Sequence, residues 1–240
     1  MNKFFCNKPY VNIYEQPKIN SNISSQIIYG ESFKVLKRRR NFLKIKTSYD
    51  KYVGYIKNNN FSKKIYTTHK IKVLKAKIYN SKKFLPFSSK IENLKETKNY
   101  IMFEKNKWIK KNDIIQLKTK NKEFKKIFKL FLKCGYKWGG KTYDGIDCSA
   151  LIQLYYKFNN KFFPRDTVDQ IKLKKGSNYK KMYRKGDLIF WKGHVAVCLN
   201  SKNLIHAYGP KKKVVIMSIK KTIELIKKTA NLKVKKIFPI

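Results

Sequence analysis

The chain has 240 residues, and its 58 Lys and Arg against 14 Asp and Glu give a formal charge of +44. Hydrophobic residues make up 42% and aromatics 15%, which excludes a wholly disordered basic chain and is enough to build packed cores. The length admits a catalytic unit together with one or two small modules.

Only five of the basic residues are arginine (Arg38, Arg39, Arg40, Arg165 and Arg184), which leaves 58 − 5 = 53 lysines. The other over-used residues, Asn, Ile, Phe and Tyr, share A/T-rich codons with lysine, so most of the charge reads as compositional drift rather than selected polyanion binding. Whatever its origin, such a surface attracts polyanions non-specifically. The opening MNKFFCNKPYVNIYEQ has no apolar run of signal-peptide length, and no apolar stretch of membrane-spanning length follows, so the expectation is a cytoplasmic protein without membrane association. Cys6, Cys134, Cys148 and Cys198 form no C-x-x-C pair, which suggests neither a zinc site nor a disulfide framework. No metal or organic cofactor is expected, and the sequence is silent on self-association.

From about Val11 to Ile65 short β-like runs (VNIY, QIIYGESFKVLK, FLKIKT, YVGYI) alternate with turns, the spacing of a small barrel. A second run from about Ile71 to Ile115 repeats the style with IKVLKAKIY, NYIMF and KWIKK. Cys6 precedes the first module in a poorly defined tail. At Lys122 the texture changes: Phe124, Ile127, Phe128 and Phe131 follow helical spacing, with Gly135 where the helix would end and Cys134 on the same face as core filling. A second helix is predicted from Cys148, with Leu151, Leu154, Tyr155 and Phe158 on one side. Four β-like runs follow (DLIFW, HVAVCL, NLIHAY, VVIMSI), and their short connections predict an antiparallel sheet in which Cys198 is a buried small hydrophobe.

The segment YKWGGKTYDGIDCSALIQ sets Cys148 on the first turn of its helix, behind a loop with Gly139, Gly140 and Gly145. Unpaired amides and the positive dipole end there are expected to lower the thiol pKa and to stabilise an oxyanion. A thiol nucleophile needs a base and a group to hold that base. His194 opens a strand 46 residues on (194 − 148), and His206 lies on the next strand across the NSKN turn, placed to accept from the far nitrogen of His194 and fix its tautomer. On pattern alone, a cysteine at a helix start and a histidine on a strand read as readily structural as catalytic.

The runs YKWGG, DGIDCSALIQ, FPRDTVDQ, KGDLIFW, HVAVCL and NLIHA, in that order and spacing, resemble the NlpC-type papain-like cysteine peptidases over roughly residues 122–240. One departure is Ala150, where that family usually has glycine. Pro17, QIIYGE and DKYVGYI resemble a bacterial SH3-like domain, and KWIKK is a weaker trace of a second. The resemblance implies an α+β fold in which a papain-like domain (119–240), with its nucleophile helix packed on an antiparallel sheet, follows SH3-like barrels at 1–65 and 66–118.

Two such barrels before this unit are similar to the dipeptidyl-peptidase VI type, the gamma-D-glutamyl-L-diamino acid endopeptidases. That implies action on peptidoglycan-derived stem peptides with a free N-terminal L-Ala, with Cys148, His194 and His206 catalytic. It further implies that the amine is read by Glu31, Tyr52 and Asp147, that Tyr136 and Trp138 wall the cleft, and that Ser149 and Thr167 supply hydrogen bonds. Without the resemblance Glu31 reads as a surface turn residue and Tyr52 as a barrel aromatic, while Asp147 is equally a helix cap. Another papain-like amidase or acyltransferase, or a catalytically vestigial binding module, fits the same residues.

Overall fold

The structure is a computed structural model and describes residues 3–240. Six strands (Lys3–Phe5, Tyr10–Tyr14, Ile23–Ile28, Ser32–Arg38, Phe42–Thr47 and Val53–Lys57) form one antiparallel sheet. Alternation turns Ile13, Ile27, Phe33, Leu43, Ile45 and Ile56 into its core. Cys6 is not in a loose tail. It is fully buried in this core, just after the first strand, and burial pushes its thiol up to about 12.

Residues 69–116 form three small sheets around Ile71, Ala76, Leu85, Ile91, Ile101 and Ile109. The run IKVLKAKIY is broken rather than continuous: its strands are His69–Ile71 and Lys75–Lys77, and between them Leu74 turns away to pack on the core of the following unit. Gly30 closes the first sheet's turn at φ +78°, and a Cβ there would meet the carbonyl of Lys90 at 2.0 Å. Only glycine permits that approach between the two modules.

Helix α1 (Phe124–Leu130) buries Phe124, Ile127 and Phe128. It stops earlier than the position of Gly135 predicts, because Leu132 and Cys134 bond back three residues and Lys133 takes the left-handed conformation at φ 67°. Helix α2 (Cys148–Phe158) and the short α3 (Thr167–Gln170) follow, then a five-stranded antiparallel sheet ordered Lys213–Ser218, Asn203–Tyr208, His194–Cys198, Asp187–Trp191, Lys236–Pro239. The four predicted strands are present, with a fifth at the C-terminal end.

One sheet face, with Leu188, Phe190, Val195, Val197, Ile205 and Ala207, packs on α2. The other, with Ile189, Trp191, Ala196, Cys198 and Leu204, packs on Ile219 and Ile226 of α4 (Ile219–Ala230), a helix the sequence reading did not anticipate. Among the described residues no helix is long and apolar enough to cross a membrane.

Candidate active site

Asp147 is the N-cap of α2: its Oδ1 accepts from the amide of Ala150 at 2.8 Å and from Ser149 Oγ at 2.9 Å, and its Oδ2 accepts from the amide of Gly139 at 3.0 Å. Arg165 completes the cap with a two-pronged ion pair, Nη1 to Oδ1 at 3.0 Å and Nη2 to Oδ2 at 2.6 Å. The pair is buried on both sides; burial works against the guanidinium charge, but Asp147, helped by Asp166 and Tyr52, outweighs it and raises the Arg165 pKa. A fork of this shape is what arginine supplies and lysine does not. Ala150 is buried without displacing the cap, so the departure from glycine is accommodated.

The cap fixes the first turn and so the position of Cys148, which is 5% exposed. Its sulfur lies 3.9 Å from the carbonyl of Gly193, and the amides of Val195 and Ser149 favour its thiolate. The thiol therefore sits against the backbone on either side of His194, and bonds there rather than to the imidazole. His194 Nε2 is 2.9 Å from His206 Nδ1. The register that sets Val197 opposite Ile205 places the two rings diagonally on one face of the sheet.

The expected thiolate is not the resting state. Burial, with the Asp147 carboxylate second, pushes Cys148 up to about 12, and this outweighs the amides of the helix start. Burial brings His194 down to about 4 and, with His194 as a further cause, His206 down to about 3. Near pH 7 the site holds a thiol and two neutral imidazoles.

Beside the thiol opens a cavity of about 280 Å³, whose lining includes Glu15, Ser24 and Tyr52 from the first barrel, Trp138, Asp147 and Ser149 around the nucleophile, and Asp166, Thr167 and Val168 at α3. Gly139 (φ +71°) lets barrel and catalytic loop meet, since a Cβ there would stand 2.3 Å from the carbonyl of Ile23. Of the residues singled out in the sequence, Tyr52, Trp138, Asp147, Cys148, Ser149 and Thr167 line this cavity. Tyr136 stands beside it with its ring against Gly209, close enough to Cys148 and Asp147 that, after burial, their charges help raise its phenol to about 12.

Glu31 is elsewhere. It is buried, accepts from the amide of Ile28 at 2.7 Å, and pairs with the ammonium of Lys157 and with Lys141 at 3.6 Å. These two cations outweigh burial and lower its pKa. The reason is the docking of α2. Besides its apolar side, α2 carries Ser149, Gln153 and Lys157 at intervals of four, and this stripe is buried against the first barrel. Gln153 donates to Asp50 at 2.9 Å, and Arg165 links Ser149 to Ser25 at 2.8 and 2.9 Å. Glu31 thus anchors the far end of the nucleophile helix.

Besides Asp147, which Arg165 pairs, the carboxylates that line the cavity are Glu15 and Asp166, both missed in the sequence. Glu15 accepts from Asn22 Nδ2 at 3.3 Å, whereas the Asp166 side chain makes no capping bond to α3. Among the described residues neither is in an ion pair with Lys or Arg. Burial raises the Asp166 pKa against the opposing pull of Arg165. Among the described residues no group of three or more His, Cys, Asp or Glu is arranged to hold a metal ion.

Comparison with known proteins matches residues 133–230 to the NlpC/P60 family and residues 13–61 to the bacterial dipeptidyl-peptidase Sh3 domain. The chain carries an NlpC/P60 domain behind a bacterial dipeptidyl-peptidase SH3 domain. It is accordingly a cysteine peptidase. The chain is 24% identical over 233 residues to dipeptidyl-peptidase 6 of Lysinibacillus sphaericus, covering 82% of this chain and 84% of that protein. A gamma-D-glutamyl-L-lysine dipeptidyl-peptidase of Bacillus subtilis is 34% identical over 101 residues, which cover 39% of this chain and 34% of that relative. In fold it is similar to a crystal structure of an NlpC/P60 family protein from Bacillus cereus, with TM-score 0.78 at 18% identity over 91% of this chain and 94% of that one.

Proposed function

We propose that the chain hydrolyses the gamma-D-glutamyl bond to the diamino acid in short peptidoglycan stem peptides that begin with a free L-Ala. The observation that carries this reading is the 280 Å³ cavity, in which the Cys148 thiol shares one enclosure with the carboxylates of Glu15 and Asp166 and the phenol of Tyr52. In a chain of charge +44, two carboxylates that line one cavity with no Lys or Arg ion-pair partner among the described residues form a site for an ammonium group. Charge-assisted bonds from such a group are short and directional. The charge of a bound ammonium would also offset the burial that raises the Asp166 pKa.

In the proposed reaction the L-Ala ammonium rests between Glu15, Asp166 and Tyr52, which brings the gamma-carbonyl of D-Glu over Cys148. His194 takes the thiol proton as the sulfur attacks, so charge develops only as the new C–S bond forms. First-turn amides of α2 face the resulting oxyanion. His194, now protonated, gives its proton to the departing amine of the diamino acid. Water then attacks the thioester with His194 again as base, releasing L-Ala-D-Glu and the free thiol. His206 holds the base throughout. The relatives named for gamma-D-glutamyl-L-lysine and dipeptidyl cleavage support this choice of bond.

The test is mass spectrometry of a stem-peptide panel. L-Ala-gamma-D-Glu-diaminopimelate and its L-lysine counterpart should each yield the dipeptide and the free diamino acid. Products that keep the gamma-glutamyl bond intact would overturn the assignment.

A further inference from the structure

The second imidazole has two ring nitrogens, and only Nδ1 meets His194. His206 is fully buried, stacked on Tyr208 with ring centroids 4.6 Å apart and an interplanar angle of 11°. Its Nδ1 faces His194, and its Nε2 lies 3.3 Å from the Sδ of Met217 on the neighbouring strand Lys213–Ser218. In that strand pair Val215 is opposite His206, so Met217, two residues on, reaches the ring along the same face.

We propose that Met217 is a positioning residue of this site, whose sulfur selects the tautomers of both imidazoles. A thioether accepts hydrogen bonds weakly and donates none. The proton of neutral His206 must then lie on Nε2, which leaves Nδ1 a bare acceptor. That acceptor in turn requires the His194 proton on Nε2, and the lone pair of His194 Nδ1 is left for the thiol. A donor in place of Met217 would reverse every bond in the chain and present the thiol with an N–H. A carboxylate there would favour an imidazolium at His206, which has no lone pair to offer His194. An uncharged, acceptor-only group avoids both outcomes.

The inference rests on the reading of Cys148, His194 and His206 as the reacting groups, but its test separates from theirs. Long-range ¹H–¹⁵N correlation spectra of the free protein at pH 7 distinguish the tautomers, and the chain has three histidines, so a His69 variant completes the assignment. Wild type should show Nε2–H forms at both His194 and His206. Met217→Leu keeps apolar volume and removes the acceptor; its His206 should populate the Nδ1–H form, with kcat down about tenfold and KM unchanged. An Nδ1–H form of His206 in wild type, or a leucine variant with wild-type tautomers and wild-type kcat, overturns the proposal. The wild-type spectrum stands whether or not the variant folds, and it needs no substrate.

Discussion

Cys148→Ala should reduce cleavage of L-Ala-gamma-D-Glu-diaminopimelate by about four orders of magnitude or more, since removing the nucleophile of an acyl-transfer unit removes the pathway and leaves only residual electrostatic help. Stability should change little. The thiol is small and lies beside a cavity, and the helix it opens is held by Asp147, Arg165 and the buried polar stripe rather than by sulfur contacts. Thermal unfolding of the variant should therefore stay within a few degrees of wild type. A variant that folds like wild type and retains turnover would remove Cys148 from the chemistry, and with it the significance of the two imidazoles.

Blocking the alanine amine should be nearly as damaging. Acetylation replaces an ammonium with a neutral amide, so Glu15 and Asp166 would be desolvated by a substrate that offers them no charge. The expected loss in kcat/KM is about 10² to 10³-fold, the order of two charge-assisted hydrogen bonds. Glu15→Gln should lower the rate with the free peptide and narrow its advantage over the acetylated one. Glu31→Gln should leave that discrimination alone and appear instead as a loss of stability, of about 3–5 kcal/mol for a buried ion pair deprived of one partner. Equal cleavage of free and acetylated peptides would rule out the amine site, and a loss of discrimination in the Glu31 variant would restore the role that the family resemblance implied.

The contrast between these two glutamates shows where sequence reasoning stops. Both flank strands of the first barrel, and which one faces the cleft is decided by the way the barrel docks on α2, a long-range contact with no local signature. The polar stripe Ser149, Gln153 and Lys157 gives no sign of this docking either, because polar residues at a spacing of four fit a solvated face equally well, yet here they are buried against the barrel. Arg165 did leave a signal. It is one of five arginines among 53 lysines, and a bidentate partner for a capping aspartate is a task lysine cannot perform. Helix α4 is also legible, with Ile219, Thr222, Ile223 and Ile226 at helical spacing, but it follows the strand Lys213–Ser218 without a break, so no turn signal marks its start.

Local chemistry was the better guide at the centre of the site. The helical period and the strand order predict the helix that Cys148 opens and the consecutive strands on which His194 and His206 meet, while the assignment of these three as reacting groups comes from the resemblance. Their charge state was not legible. The helix start argues for a thiolate, but burial depends on what the rest of the chain piles around the sulfur, and here burial wins. A neutral thiol beside a neutral imidazole still supports acyl transfer, provided the proton moves as the bond to carbon forms.

That bond is the most direct thing to measure. Wild-type protein mixed with L-Ala-gamma-D-Glu-diaminopimelate, quenched in acid within a turnover and digested with protease, should yield the Cys148 peptide carrying one L-Ala-gamma-D-Glu acyl group as a thioester. Full turnover with the acyl group found on another residue, or with an acyl of different composition at Cys148, would contradict the account.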